Sequence, residues 1–269
     1  MIPRGTASKR RSLRSLLLLI LFLAIARPTR SNESEVLVVP LPAPGEIEWH
    51  PLTFRSIEQQ TLYTLETDPD GRPAYRAVSE CGASALVLDL PDDFDLARTP
   101  RLSWRWRIER GLEIDQDRER SKSGDDFAAR VYVLFRFDPE RASLWRRMQN
   151  RVGQRLFGRA MPGQALNYVW SSSTPTDRFW TSPHHEDTRL LAVESRSNAP
   201  SSRAWREVTV DLAVDAARLF SPPPRLQPYA LGLMTDADDV CENAIAWFSD
   251  FHLLGPETTR STAALAPAQ

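Results

Sequence analysis

Short runs in which apolar and polar residues alternate, each closed by a turn signal, recur between residues 45 and 255. Successive side chains of a strand point to opposite faces, so each run carries one face for burial and one for other uses. TLYTLE and PAYRAV flank Thr67-Asp68-Pro69-Asp70-Gly71-Arg72, a hairpin signal. SALVLDL, RLSWRWRIE, FAARVYVLFRF, ALNYVW, TRLLAVES, WREVTVDL, YALGLMT and AIAWFSDFHLL read as further strands. So many short strands with turns between them predict an all-β antiparallel sandwich, with no internal repeat.

Two segments depart from this pattern. Asp138-Pro139 is a helix start, with Asp as N-cap and Pro in the first turn. Ala142, Trp145, Met148, Val152 and Leu156 follow at spacings of three and four, which predicts one inserted amphipathic α-helix over 139–157. Arg147, Arg151 and Arg155 stack on its polar side, as a solvated face or as a contact for phosphate, a partner or a membrane surface. Val214 to Phe220 reads as one or two helical turns halted by Pro222-Pro223-Pro224.

Residues 1–26 read as an export signal: basic residues from Arg4 to Arg14, the apolar run SLLLLILFLAIA, and small residues Ala24 and Ala26 before the cleavage point. That run is too short to span a bilayer, which needs roughly 20 residues, so membrane contact would require an uncleaved signal segment. A periplasmic or secreted product follows. Residues 27–44 and 256–269 read as a mobile segment and a disordered tail. Cleavage removes five of the 34 basic residues and none of the 35 acidic ones, leaving a net charge near −6. That balance argues against nucleic acid as a partner. Lys122 is the one lysine after the signal, which leaves Schiff-base chemistry a single candidate. In an oxidising compartment Cys81 and Cys241 pair as a candidate disulfide, closing a loop worth about 4–5 kcal/mol in the chain-entropy model. Two separately buried thiols are the alternative.

Alternation also sorts the charges. In residues 123–137, Ala129, Val131, Val133, Phe135 and Phe137 share the core face, and Asp126, Ala128, Arg130, Tyr132 and Arg136 share an open one. In 101–109, Leu102, Trp104, Trp106 and Ile108 face the core, Arg105 and Arg107 the outside. If the two strands are neighbours, Asp126, Arg130, Tyr132, Arg105 and Arg107 line one polar surface, suited to carboxylates or hydroxyls through the arginine fork. A cross-strand salt-bridge ladder needs no ligand and explains the same residues. Asp236, Asp238, Asp239, Glu242 and Asn243 bring hard oxygens together after a strand, and Asp125 joins them if the loops meet. Calcium takes six to eight such ligands, although the spacing is not that of an EF-hand; a solvated acidic turn is the alternative. Tyr168, Trp170, Trp180, Trp205 and Trp247 are either core or sugar-stacking surfaces.

No Gly-x-Ser-x-Gly elbow, phosphate loop, dinucleotide fingerprint or His-Glu-x-x-His is present. His184 and His185 are adjacent, which is not helical metal-ligand spacing. Trp104-Arg105-Trp106, Gly124-Asp125-Asp126-Phe127 with Arg130, Tyr168-Val169-Trp170, and Thr235-Asp236 with Asp238 occur in that order. Together they resemble a bacterial exported family known as domain of unknown function 3047, over roughly residues 46–254. The resemblance implies a secreted sandwich similar to galactose-binding-like or other carbohydrate-binding jelly rolls, and supplies no catalytic residues. The expected function is therefore non-catalytic binding of a saccharide or another polyhydroxylated or acidic ligand. The rivals are a polysaccharide hydrolase or lyase using Asp126 and Asp236 as acid and base, and a structural envelope protein.

Overall fold

The computed structural model describes residues 38–40, 49–91, 94–140, 163–173, 178–195, 204–221, 223, 225 and 227–256. Its strands are β1 (Val38–Pro40), β2 (His50–Thr53), β3 (Leu62–Thr67), β4 (Pro73–Glu80), β5 (Ala83–Asp89), β6 (Arg101–Arg110) and β7 (Arg130–Phe135). They continue as β8 (Ala165–Ser171), β9 (Phe179–Thr181), β10 (Thr188–Ser195), β11 (Arg206–Asp211), β12 (Pro228–Asp236) and β13 (Asn243–Leu254). Among the described residues two short helices join them, α1 (Gln116–Glu119) and α2 (Leu212–Leu219). One sheet runs β11-β6-β13-β4-β3, with β1 added to β13; the other runs β2-β5-β12-β7-β8-β10-β9. The two sheets make the expected β-sandwich.

The β3–β4 hairpin closes as its sequence demands. Gly71 sits at φ 80°, and the Asp68 carboxylate accepts the N–H groups of Asp70 and Arg72 at 2.9 and 2.8 Å. Helix α2 starts on its Asp211 cap, whose carboxylate accepts from the Val214 N–H at 2.9 Å, and ends before the prolines.

Three features differ from the expected pattern. Strands β8 and β10 run parallel, with β9 lying between them in the chain and pairing antiparallel with β10. Within the segment expected to be mobile, Val38–Pro40 pairs antiparallel with His252–Leu254 and so forms a sheet edge. Strand β7 begins only at Arg130, because Phe127 and Ala129 give their carbonyls to Asp236 and Trp170 from a loop. The helix expected over 139–157 lies, beyond Glu140, outside the described residues.

The core sits where inward faces meet. Leu102, Trp104, Trp106 and Ile108 from β6 oppose Val131, Val133 and Phe135 from β7 and Leu166, Tyr168 and Trp170 from β8. Trp104 meets Tyr168 at 5.7 Å between ring centroids, and Trp106 meets Trp170 at the same separation, joining the two sheets. Cys81 and Cys241 are bonded, tying the β4–β5 turn to the β12–β13 loop.

Candidate functional site

The motif residues that looked like a surface meet in the interior. Arg130 opens β7 beside the end of β12, in the register Met234–Arg130, so its side chain reaches the carboxylate of Asp236. Its Nε donates to Asp236 Oδ1 at 2.7 Å and its Nη2 to Asp236 Oδ2, a two-pronged buried pair. The same guanidinium donates to the Asp125 carbonyl and, at 3.0 Å, to the Tyr132 hydroxyl, and lies 4.7 Å from the Phe127 ring centroid. Burial works against its charge, but the neighbouring Asp236, Tyr132 and Asp125 outweigh that and hold it ionised. Gly124 lets the incoming chain through, since a Cβ there would stand 2.6 Å from the Arg118 carbonyl oxygen. Thr235 completes the join by donating to the Ala128 carbonyl. The Gly-Asp-Asp-Phe stretch and the Thr-Asp pair are thus two halves of one clasp across β7 and β12.

This geometry corrects the open-face assignment. Asp126 is 0% exposed, Arg130 4% and Asp236 2%. Strand β7 lies centrally between β12 and β8, and its outer face is covered too: Tyr132 and Leu134 pack on Ala85, Val87, Ala230 and Met234 under Phe54 and Ile57. Alternation identifies which residues share a face, but not whether another layer covers it. Arg105 and Arg107 belong to β6 in the other sheet, so the five residues expected on one surface fall into two separate places.

The carboxylates divide as well. Asp126, Asp236 and Asp238 each bring an oxygen within 4.8 Å of the others, the arrangement of hard donors that a cation such as Ca²⁺ would take. Arg130 already balances Asp236 from within the protein. Asp126 accepts from the Val240 N–H at 2.7 Å through Oδ2, while its Oδ1 is buried without a hydrogen-bond partner. Burial pushes Asp126 up to about 7; the Val240 N–H and Arg130 oppose this, and Asp238 and Asp239 add to it. Asp125 and Asp239, also expected as cation ligands, point elsewhere: Asp125 to Ser182 and Arg130, Asp239 to His184 at 3.4 Å. The acid–base pair Asp126 and Asp236 does come together, but so deeply that neither carboxylate meets solvent.

On the outer face of the six-stranded sheet, Arg105 joins the salt-bridge ladder that was the alternative to ligand binding. It reaches Asp250 at 2.9 Å and Asp70 at 3.3 Å, and Asp250 also takes Arg72. Beside it, cations and rings alternate across the strands. Arg76 stacks on Trp247, Trp247 on Arg107, and Arg107 on Trp205. Tyr168 and Trp170 are core residues, whereas Trp205 and Trp247 belong to this outer row.

One concave feature escaped sequence reasoning. The open edges of the two sheets, β9–β10 on one side and β11 with α2 on the other, leave a groove of about 560 Å³. Phe179 lines it, 48% exposed, among Arg178, Glu194, Glu207, Asp215 and Arg218. Arg218 pairs with Asp215 at 3.0 Å and stands 5.4 Å from the Phe179 ring centroid. The Tyr168 hydroxyl donates to Asp215 at 3.0 Å. Burial raises Glu194, against Arg206 and Arg178, and raises Asp215, against Tyr168 and Arg218. An exposed aromatic in FWT was the available signal, but the pairing that opens the groove is invisible along the chain.

Two packed sheets around a core of stacked aromatic rings define a β-sandwich, with an ionic clasp at one end. A family model described as a protein of unknown function (DUF3047) matches residues 47–252, and the chain belongs to that family. No curated protein matches it. Among solved structures it is similar to the family 11 carbohydrate-binding module from Clostridium thermocellum in complex with a β-1,3-1,4-mixed-linked tetrasaccharide. That match has 8% identity over 81% of this chain and 95% of the other, with a TM-score of 0.41. The family 11 module of the cellulosomal cellulase Lic26A-Cel5E of the same organism gives 8%, 83%, 99% and 0.42. A cellulase derived from Cel12A of Rhodothermus marinus gives 10%, 81%, 99% and 0.38. Identities this low say nothing of what this chain binds.

Proposed function

We propose that this protein is an exported, non-catalytic β-sandwich that binds a saccharide in the groove between the β9–β10 edge and β11. The supporting observation is the half-exposed ring of Phe179 set among charged hydrogen-bonding groups in that groove. An aromatic face suits the apolar side of a sugar ring, and flanking carboxylates and guanidinium groups suit its hydroxyls. The disulfide supports a life outside the cytoplasm. Calorimetric titration against a panel of envelope and plant oligosaccharides tests the binding. Phe179→Ala should weaken the tightest ligand roughly five- to tenfold, the loss of one stacking contact of about 1–1.5 kcal/mol, with an unchanged melting temperature. Retained affinity in a folded Phe179→Ala variant refutes the groove as the site. Cell fractionation and N-terminal sequencing test export.

A second reading rests on Glu194 and Asp215, two acids of raised pKa in one groove. Paired carboxylates of that kind serve polysaccharide hydrolysis. Product analysis of the same titration mixtures separates the two readings, since a binding module leaves every oligosaccharide intact.

A further inference from the structure

Arg107 is distinctive among the cations of the outer sheet face. Its guanidinium carbon lies 4.4 Å from the Trp247 ring centroid and 5.6 Å from that of Trp205, so it stacks against two indoles. Arg76 is engaged by Glu109, and Arg105 by Asp250 and Asp70. Arg107 makes no hydrogen bond or ion pair among the described residues, although Glu109 on the same strand is close enough for the two charges to interact, and its Nε is buried without an acceptor. Trp205 Nε1 is buried without an acceptor too, as are the indole nitrogens of Trp104, Trp106 and Trp180. Trp247, by contrast, gives its Nε1 to Glu109 at 2.8 Å.

A guanidinium carries five N–H donors and no acceptor. Stacking satisfies its faces, not its edge. The Arg107 Nε is sealed against the sheet, so the two outer nitrogens of the fork are the donors that a ligand bringing acceptors and negative charge would meet. Arg105 lies 4.7 Å from the Trp205 ring centroid as well, but Asp250 and Asp70 take its charge, which leaves Arg107 as the cation of this stack with no ion pair among the described residues. The planar fork matches the two oxygens of a carboxylate or phosphate, and the indoles on its faces hold it in position before the ligand arrives.

We propose that Arg107, held by Trp205 and Trp247, is a binding site for an oxyanion, the carboxylate of an acidic sugar or a phosphate group. The site lies on β6, one strand in from the β11 edge of the groove, and stands whether or not the groove binds a saccharide. Its two tryptophans are its own reporters, because an anion docked on Arg107 changes their environment.

The test titrates the full mature chain with glucuronate, inorganic phosphate and glucose, following tryptophan fluorescence and heat. A saturable change with glucuronate or phosphate, and none with glucose, is expected; which anion saturates at lower concentration identifies the source. Arg107→Gln should abolish the change, and Arg107→Lys should weaken binding roughly tenfold, because an ammonium keeps the charge and loses the fork. Trp205→Phe should lose most of the fluorescence response while keeping the heat. The proposal is overturned if none of the three ligands gives a saturable change, or if folded Arg107→Gln responds as the wild type does. Loss of melting temperature in Arg107→Gln without any anion response in the wild type would mark the stack as purely structural. Phe179→Ala should leave this response intact, so failure here and failure at the groove are distinguishable.

Discussion

Replacing Arg130 by Met tests the clasp. Methionine keeps the apolar stem's bulk but leaves the Asp236 carboxylate buried with only the Phe127 N–H as a donor, at 3.1 Å. Burial pushes the Asp236 carboxyl up and Arg130 is the main influence opposing it, so without Arg130 the folded variant takes up a proton that the unfolded chain releases. Breaking a buried pair in this way costs about 3–5 kcal/mol, a large part of the roughly 5–15 kcal/mol that stabilises a domain. The sign follows from linkage. A raised folded-state pKa means stability that is fully present below the unfolded value and lost as pH rises. The deficit of Arg130→Met should therefore grow as pH rises above about 4, where the unfolded carboxyl ionises. Urea unfolding followed by tryptophan fluorescence, in EDTA at pH 4.5 and 7, measures it. Adding Asp236→Asn removes the charge that needs a partner, so the double variant should be more stable than Arg130→Met at pH 7 and less dependent on pH. The reasoning is refuted if Arg130→Met lies within about 1 kcal/mol of wild type at pH 7, or if the double variant recovers nothing.

Two further outcomes follow from the same end of the sandwich. Asp126, raised by burial from 3.8 to about 7, should make the wild type lose about 3 kcal/mol of stability between pH 4 and 7. Asp126→Asn should not show that loss; parallel pH–stability curves in EDTA for the two proteins would contradict it. Cys81 and Cys241 are 160 residues apart, a loop worth roughly 5 kcal/mol in the chain-entropy model. Replacing both by alanine should lower the melting temperature by about 10–20 °C in calorimetry, and a change of only a degree or two would show that the cross-link constrains little.

Much of the fold was legible because its determinants are local. Period-two alternation identified Leu102, Trp104, Trp106 and Ile108 as one inward face, and Val131, Val133 and Phe135 as another, and all seven are core residues. The hairpin at Asp68–Gly71 and the helix before the triple proline follow from turn chemistry within a few residues. The disulfide was inferred from cysteine count and export context, and the bond joins those two residues. The short edge strands β1, β2 and β9 were missed, since three or four residues carry too little pattern.

What the chain alone determined is which residues share a face of each strand, because Cβ direction alternates residue by residue. What only the tertiary structure decided is what each face meets. Asp126, Arg130 and Tyr132 do share a side of the 126–136 segment, but that side is roofed over, so their charges became an internal clasp. Arg105 and Arg107 were read by the same rule, and theirs is the face left outward, on the other sheet. The groove at Phe179 exists because the consecutive strands β10 and β11 join different sheets, whose edges then face each other. Strand pairing over long separations is set by the summed packing of two whole sheets, and no short stretch of sequence contains that sum.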